Sequence, residues 1–139
     1  MWRIVLVPVL LPALTLSAVP APAQAAVAAK KVLIDYRKQG GFAGLSDHVI
    51  VYANGCVRLS HRTGPTVDKC LTGKEDRRLR TSLKTLKLGR SEATPQGADF
   101  LKYTLVYKKH RVSRYTLPPS WQPVVQQLDK IMVKYWAPD

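Results

Sequence analysis

The dipeptide Asn54-Gly55 constrains the fold more than any other feature of the chain, because segments of alternating apolar and polar residues flank it. Both residues accept positive φ, and this pair is the strongest short signal for a two-residue hairpin turn. The pairs that such a turn creates are Ala53–Cys56, Tyr52–Val57, Ile50–Leu59 and His48–His61. The two apolar pairs share one face, so the pattern predicts an antiparallel hairpin in this register.

The other elements follow from hydrophobic periodicity and from residues that favour the ends of helices and strands. The periodicity predicts strands at 32–37, 47–53, 56–60, 100–108 and 111–117, a loop at 61–71, and helices from about 73 to near 89 and from 121 to about 135. Thr72 and Glu75 have the spacing of a capping box at the start of the first helix.

A second hairpin is predicted from the alternation of apolar residues on either side of Lys108-Lys109-His110. A three-residue loop there pairs Tyr103 with Tyr115 and keeps the apolar residues of both strands on one face. The predicted order is βββαββα. It indicates an α+β fold with a small antiparallel sheet of four to five strands and two helices packed on one face.

The first residues have the signature of a secretory signal peptide rather than of a folded element. Arg3 precedes an apolar run, and Ala23-Gln24-Ala25 offers a small-residue cleavage site. We therefore predict a signal peptide at 1–25, a flexible leader at 26–31 and one domain at 32–136. The mature protein is expected to be secreted, extracellular and monomeric, with no membrane contact after cleavage.

Cys56 and Cys70 are the only cysteines of the chain. Export to an oxidising compartment favours a disulfide between them. It would close a loop of about 15 residues and contribute about 3 kcal/mol in the chain-entropy treatment.

The chain carries a formal net charge of +13. Such a charge attracts acidic proteins, anionic polymers and nucleic acid. The basic residues are spread along the chain rather than gathered in one run, which favours simple solubility as the explanation, with an acidic protein partner second.

Catalytic chemistry has little support in the sequence. The chain has nine acidic residues and lacks both a Gly-x-Ser-x-Gly elbow and a phosphate-binding loop. The predicted pairing of His48 with His61 would bring two imidazoles together, but a typical metal site uses three or four ligands. We predict no catalytic residue, no metal and no cofactor.

The segment Gly40-Gly41-Phe42-Ala43-Gly44-Leu45 lies between two predicted strands. Glycine permits sharp bends and close approach to another surface. Phe42 has two possible roles: it is either exposed as an anchor for a partner, or it turns inward and braces the sheet.

The chain resembles the emfourin family, also called protealysin inhibitors, which block thermolysin-like zinc metalloproteases. The resemblance rests on four features, in matching order: the glycine loop 40–45, the helix around Leu79, the stretch Gly97-Ala98-Asp99-Phe100 before a strand, and Pro118-Pro119 before a last helix. It covers roughly 32–131. The signal peptide, the positive charge and the cysteine pair depart from the family pattern.

The resemblance implies a secreted inhibitor that occludes the active-site cleft of an extracellular metalloprotease. The glycine loop 40–45 would bind the protease, with Phe42 and Leu45 as anchors. The alternative is a secreted basic protein that binds an anionic polymer or nucleic acid of the cell envelope without inhibiting anything. An enzyme of another type has the least support.

Overall fold

The computed structural model describes residues 30–97 and 99–136, so the predicted signal peptide lies outside the described residues. The strands are β1 Val32–Gly40, β2 Leu45–Tyr52, β3 Cys56–His61, β4 Val67–Cys70, β5 Leu101–Tyr107 and β6 His110–Arg114. The helices are α1 Gly73–Lys84 and α2 Gln122–Trp136. Within this part of the chain, neither helix has the length and apolar character that crossing a membrane requires.

The strands form one antiparallel sheet in the order β4-β3-β2-β1-β5-β6. The α+β class, the antiparallel sheet and the two helices are therefore confirmed. The predicted four to five strands and the order βββαββα are wrong, because the sheet has six strands and the order is ββββαββα.

The additional strand is β4, which forms inside the segment predicted to be a loop. It pairs with β3 so that Cys56 lies directly opposite Cys70, and the predicted disulfide joins them. Two residue pairs further along, Arg58 Nε lies 2.9 Å from Asp68 Oδ1. β4 has only four residues and is held by one covalent bond and one ion pair. Its hydrophobic pattern is too short to be recognised in the sequence.

The hydrophobic core lies between one face of the sheet and the two helices. Leu79 and Leu83 of α1 belong to the same buried cluster as the inward side chains of the sheet. The α2 residues in this cluster are Val124, Val125, Leu128, Ile131 and Met132. Trp121, which precedes α2, is fully buried and donates from Nε1 to the carbonyls of Lys87 and Leu88 at 3.1 and 3.2 Å.

The start of α1 agrees with its sequence, and its end does not. Thr72 and Glu75 form both hydrogen bonds of the predicted capping box. The helix ends at Lys84 rather than near Gly89, with Thr85 as its C-cap. Leu86 still packs against the core from outside the helix, which explains why its spacing resembled helical periodicity.

The β2–β3 hairpin has a register different from the predicted one. Val51 pairs with Val57 and Val49 with Leu59, so three residues rather than two separate the strands. Gly55 has φ +83° and its N–H donates to the Tyr52 carbonyl at 3.0 Å, as in a turn that ends with a bulge. The shift places Val49 and Val51 in the core and Ile50 on the opposite face.

The register of the β5–β6 hairpin also differs from the predicted one by one residue. Here the turn is one residue shorter than predicted, whereas the β2–β3 turn is one residue longer. Lys108 and Lys109 form a two-residue turn, and Tyr107 pairs with His110. Leu105 therefore faces Val112, and both are buried. The predicted pairing of Tyr103 with Tyr115 is wrong, because Tyr103 pairs with Arg114.

The two edges of the sheet differ in how they end. At β6 the chain folds back along the strand, so that Glu92 N donates to the Ser113 carbonyl at 2.9 Å and Ser113 N donates to Ser91 Oγ at 3.0 Å. The other edge, β4, is only four residues long. Neither edge presents a long row of free backbone groups.

Removing the disulfide by the double substitution Cys56→Ser and Cys70→Ser is expected to lower the free energy of unfolding by about 3 kcal/mol, because the unfolded chain regains the freedom of the closed loop. Urea denaturation of the oxidised protein and of the variant measures this difference. A loss below about 0.5 kcal/mol would show that the β3–β4 pairing does not depend on the covalent bond.

Glu75 makes the stability of the protein depend on acid pH. Burial raises the pKa of Glu75, but hydrogen bonds from Tyr135 and Thr72 and the ammonium of Lys134 at 3.4 Å outweigh it and lower the pKa to about 2. A carboxyl whose pKa is lowered on folding stabilises the protein above its unfolded value of 4.5. This contribution is lost as the pH falls from about 5 towards about 2.

We expect Glu75→Gln to flatten the decline in unfolding free energy over this pH range by about 1 to 2 kcal/mol, a figure discounted for partial solvent screening. Urea titrations at several pH values measure it. Asp99→Asn is the control, since Asp99 is exposed and has no ion pair among the described residues. An equal effect of both substitutions would contradict the assignment to Glu75.

Candidate partner-binding loop

The glycine loop connects β1 to β2 through a tight turn at one end of the sheet. Gly40 pairs with Leu45 as the last pair of the two strands, and Gly44 N donates to the Gly41 carbonyl at 3.1 Å. Phe42 lies at the tip of this turn with 97% of its surface exposed. The alternative in which Phe42 braces its own sheet is therefore wrong.

Gly40 sits where two backbones approach closely. Its φ is +100°, and a Cβ at this position would lie 2.5 Å from the carbonyl oxygen of Phe100. The next residue, Gly41, donates its N–H to the same carbonyl at 3.2 Å. Only glycine can adopt this φ and also leave room for so close an approach. Gly40 therefore allows one side of the loop to be held against the segment before β5.

Arg62 supports the other side of the loop. Its guanidinium donates a hydrogen bond to the carbonyl oxygen of Ala43, and its backbone N–H donates to the Ser46 carbonyl at 2.7 Å. Arg62 itself has φ +48°, a conformation that only a few per cent of non-glycine residues adopt. The loop is thus bonded to Phe100 on one side and to Arg62 on the other, which restricts its motion.

A polar cluster joins β1 to α2. Tyr36 Oη donates to Asp129 Oδ1 at 3.0 Å, and Lys38 Nζ lies 3.3 Å from Asp129 Oδ2. Burial, together with the Asp129 carboxylate, raises the pKa of Tyr36 far above its usual value, so the phenol stays protonated and remains a donor. These bonds tie the central strand to α2.

The two histidines predicted to face each other lie apart, because the register is shifted by one residue. His48 Nε2 is 2.9 Å from Asp35 Oδ1, whereas His61 Nδ1 bonds to Asp47, which is its cross-strand partner. His61 also contacts Trp136, with 4.8 Å between the ring centroids. Among residues 30–97 and 99–136, no group of three or more histidine, cysteine or acidic side chains is arranged to hold a metal ion.

The six predicted loop residues lie together, but their exposure differs. Phe42, Ala43 and Gly44 are exposed, whereas Gly40, Gly41 and Leu45 are partly buried. Leu45 is the first residue of β2 and is partly buried, so it is a weaker candidate anchor than Phe42.

Sequence reasoning missed the contribution of Phe100 and Arg62 to the loop. Phe100 is 45% exposed and lies beside Gly41 through its backbone. Its position follows from the pairing of β1 with β5, which no local sequence pattern predicts. Arg62 lies within the predicted loop 61–71, where no pattern distinguished it from its neighbours.

Comparisons with protein-family models, with curated proteins and with solved structures return no match for this chain. The emfourin resemblance therefore rests on the residues that carry it.

Two glycines of the loop provide a matched test of its construction. Gly40→Ala is expected to cost about 2 to 5 kcal/mol of unfolding free energy, because an unfavourable φ adds about 1 to 2 kcal/mol and displacing the Phe100 carbonyl about 1 to 3 kcal/mol. Gly44→Ala is expected to cost only about 1 kcal/mol, since its φ is +61° but a Cβ meets no atom within 4 Å. Chemical denaturation measures both, and equal costs would contradict the close approach at Gly40.

Proposed function

We propose that this protein is a secreted inhibitor that binds and occludes the active-site cleft of a thermolysin-like zinc metalloprotease. The observation that carries the proposal is the exposure of Phe42, at 97%, on a loop held from both sides. A large aromatic side chain held out at the tip of a restrained loop is the kind of residue in which binding energy concentrates at protein interfaces.

The rigidity of the loop favours binding. A partner that captures a mobile loop must offset the entropy of ordering it, about 0.5 to 1.5 kcal/mol for each immobilised side chain. The hydrogen bonds from Gly41 to Phe100 and from Arg62 to Ala43 restrict the loop before any partner arrives. More of the binding energy of Phe42 then remains as affinity.

The size of Phe42 suits an enclosed apolar subsite of a cleft. Complete burial of a phenylalanine side chain contributes about 1.5 to 3 kcal/mol from the hydrophobic effect. A proteolytic cleft that accepts large apolar side chains provides such a subsite, and a loop lying across it would exclude substrate. Ala43 and Gly44 beside Phe42 add backbone without bulk, so the loop can enter a narrow groove.

The charge of the chain selects among possible targets. A net charge of +13 speeds association with an acidic cleft and slows association with a basic one. We therefore propose an extracellular protease with an acidic active-site region as the partner.

The proposal is tested by titrating the mature protein against a panel of thermolysin-like proteases, with casein hydrolysis as the readout. Stoichiometric loss of activity against at least one acidic protease supports inhibition. No loss at micromolar concentration across a panel from the same organism would exclude it and would favour the alternative of a basic binding protein without inhibitory activity.

Phe42→Ala is expected to weaken inhibition at least about 30-fold, the factor that a 2 kcal/mol anchor produces, while the unfolding free energy changes by less than about 0.5 kcal/mol. Val133→Ala is the matched control, because Val133 is also apolar and 75% exposed but lies on α2. Inhibition constants and urea denaturation measure the two effects. Equal inhibition by both variants would remove Phe42 from the binding site.

A further inference from the structure

The sheet has two chemically different ends. Along β5, Leu101 pairs with Gly40 at the base of the Phe42 loop, whereas Tyr107 pairs with Ile34 near the start of β1. The turn Lys108-Lys109 that follows Tyr107 therefore lies at the end of the sheet opposite to the Phe42 loop.

Two lysines occupy a turn that favours other residues. Lys108 has φ +50° and Lys109 has φ +66°, and a two-residue turn with both values positive is ordinarily formed by Asn-Gly, Asp-Gly or Gly-Gly. Left-handed backbone costs about 1 to 2 kcal/mol at a residue with a side chain. Neither lysine is a residue that this turn type favours, so the lysines at 108 and 109 are a departure that local stability does not explain.

The basic residues at this turn form no close ion pair within the described part of the chain, although Arg111 acts at longer range on the Asp35 carboxylate. Lys108, Lys109, His110 and Arg111 are consecutive and all exposed. In the described part of the chain, none of them has a carboxylate within 4.0 Å, whereas eight other basic side chains are so paired.

The segment after α1 lies against the same end of the sheet. Leu86, Leu88 and Gly89 line a shallow depression together with Tyr107, Lys108, His110 and Arg111. We call the run Lys108–Arg111 the cationic end.

We propose that the cationic end binds a linear polymer of phosphate groups without bases, and that it does so independently of the Phe42 loop. Closely spaced cations on an exposed turn match the repeating charges of such a polymer. Lysine, which supplies two of the four positions, binds phosphate as a point charge and needs no fixed angle of approach.

The surroundings of the cationic end disfavour single-stranded nucleic acid. Proteins that bind single strands stack the bases on exposed aromatic faces. Tyr107 is partly buried and has Lys108 Nζ 5.4 Å from its ring centroid, so its face is covered. The highly exposed ring of Phe42 lies at the other end of the sheet.

The test is the double substitution Lys108→Asn and Lys109→Gly. It removes two charges and installs the residues that this turn prefers, so the fold is retained and the melting temperature is expected to stay equal or rise. Affinity for long-chain inorganic polyphosphate, followed by fluorescence anisotropy, is expected to fall about tenfold. The slope of log affinity against log salt is expected to decrease by about 1.4 for two lost contacts.

The control is Lys102→Gln with Lys130→Gln, which removes the same charge from exposed positions on β5 and α2. Retained polyphosphate affinity in the control, with loss in the turn variant, supports the proposal. Equal losses would show that net charge alone binds the polymer and would overturn the assignment. Tighter binding of DNA or of polyglutamate than of polyphosphate, at equal charge concentration, would overturn the choice of polymer. No protease enters this assay, so its outcome is separate from that of the inhibition experiment.

Discussion

The pairing of β1 with two neighbours is the constraint on which the rest of the structure depends. β1 pairs with β2, which follows it in sequence, and with β5, which is more than sixty residues away. Without the second pairing, the β2–β3–β4 unit and the β5–β6 hairpin would be separate small sheets with little core between them. Gly40 makes this junction possible at its narrowest point, because no side chain separates β1 from the Phe100 carbonyl.

The same junction explains which parts of the fold could be predicted from the sequence. Helix α1 was predicted from its start, since the Thr72–Glu75 capping box is a local interaction. The disulfide followed from two cysteines and the predicted signal peptide. Both predicted hairpin registers were wrong by one residue. The turn that ends at Gly55 and the turn Lys108-Lys109 each differ from the simplest turn that their residues predict. The alternation itself was predicted correctly. The shift in register nevertheless places Val51 on the core face, where Ile50 was predicted, and Ile50 on the opposite face.

The candidate site was predictable in position and not in construction. A run of glycines around one phenylalanine located the loop, but whether Phe42 lies inside or outside depends on what packs behind the turn. The loop is held by Arg62, which bonds to Ala43, and by the backbone of Phe100, which bonds to Gly41. These contacts join segments that are distant in sequence, and no pattern within 40–45 contains them. An aromatic anchor at one end and a cationic end at the other could then serve two partners without overlap.

The short β4 strand and the covered β6 strand have a consequence for the behaviour of many copies together. Bare strand edges allow one chain to extend the sheet of another, which is how soluble proteins begin to form fibres. Here the turn-back at Ser91 and Glu92 occupies the backbone on one side, and the other side is too brief to template a neighbour. Like-charged molecules of this kind repel one another as well. Concentrated solutions of this protein should therefore resist aggregation, whereas a flat six-stranded sheet with unprotected edges would aggregate.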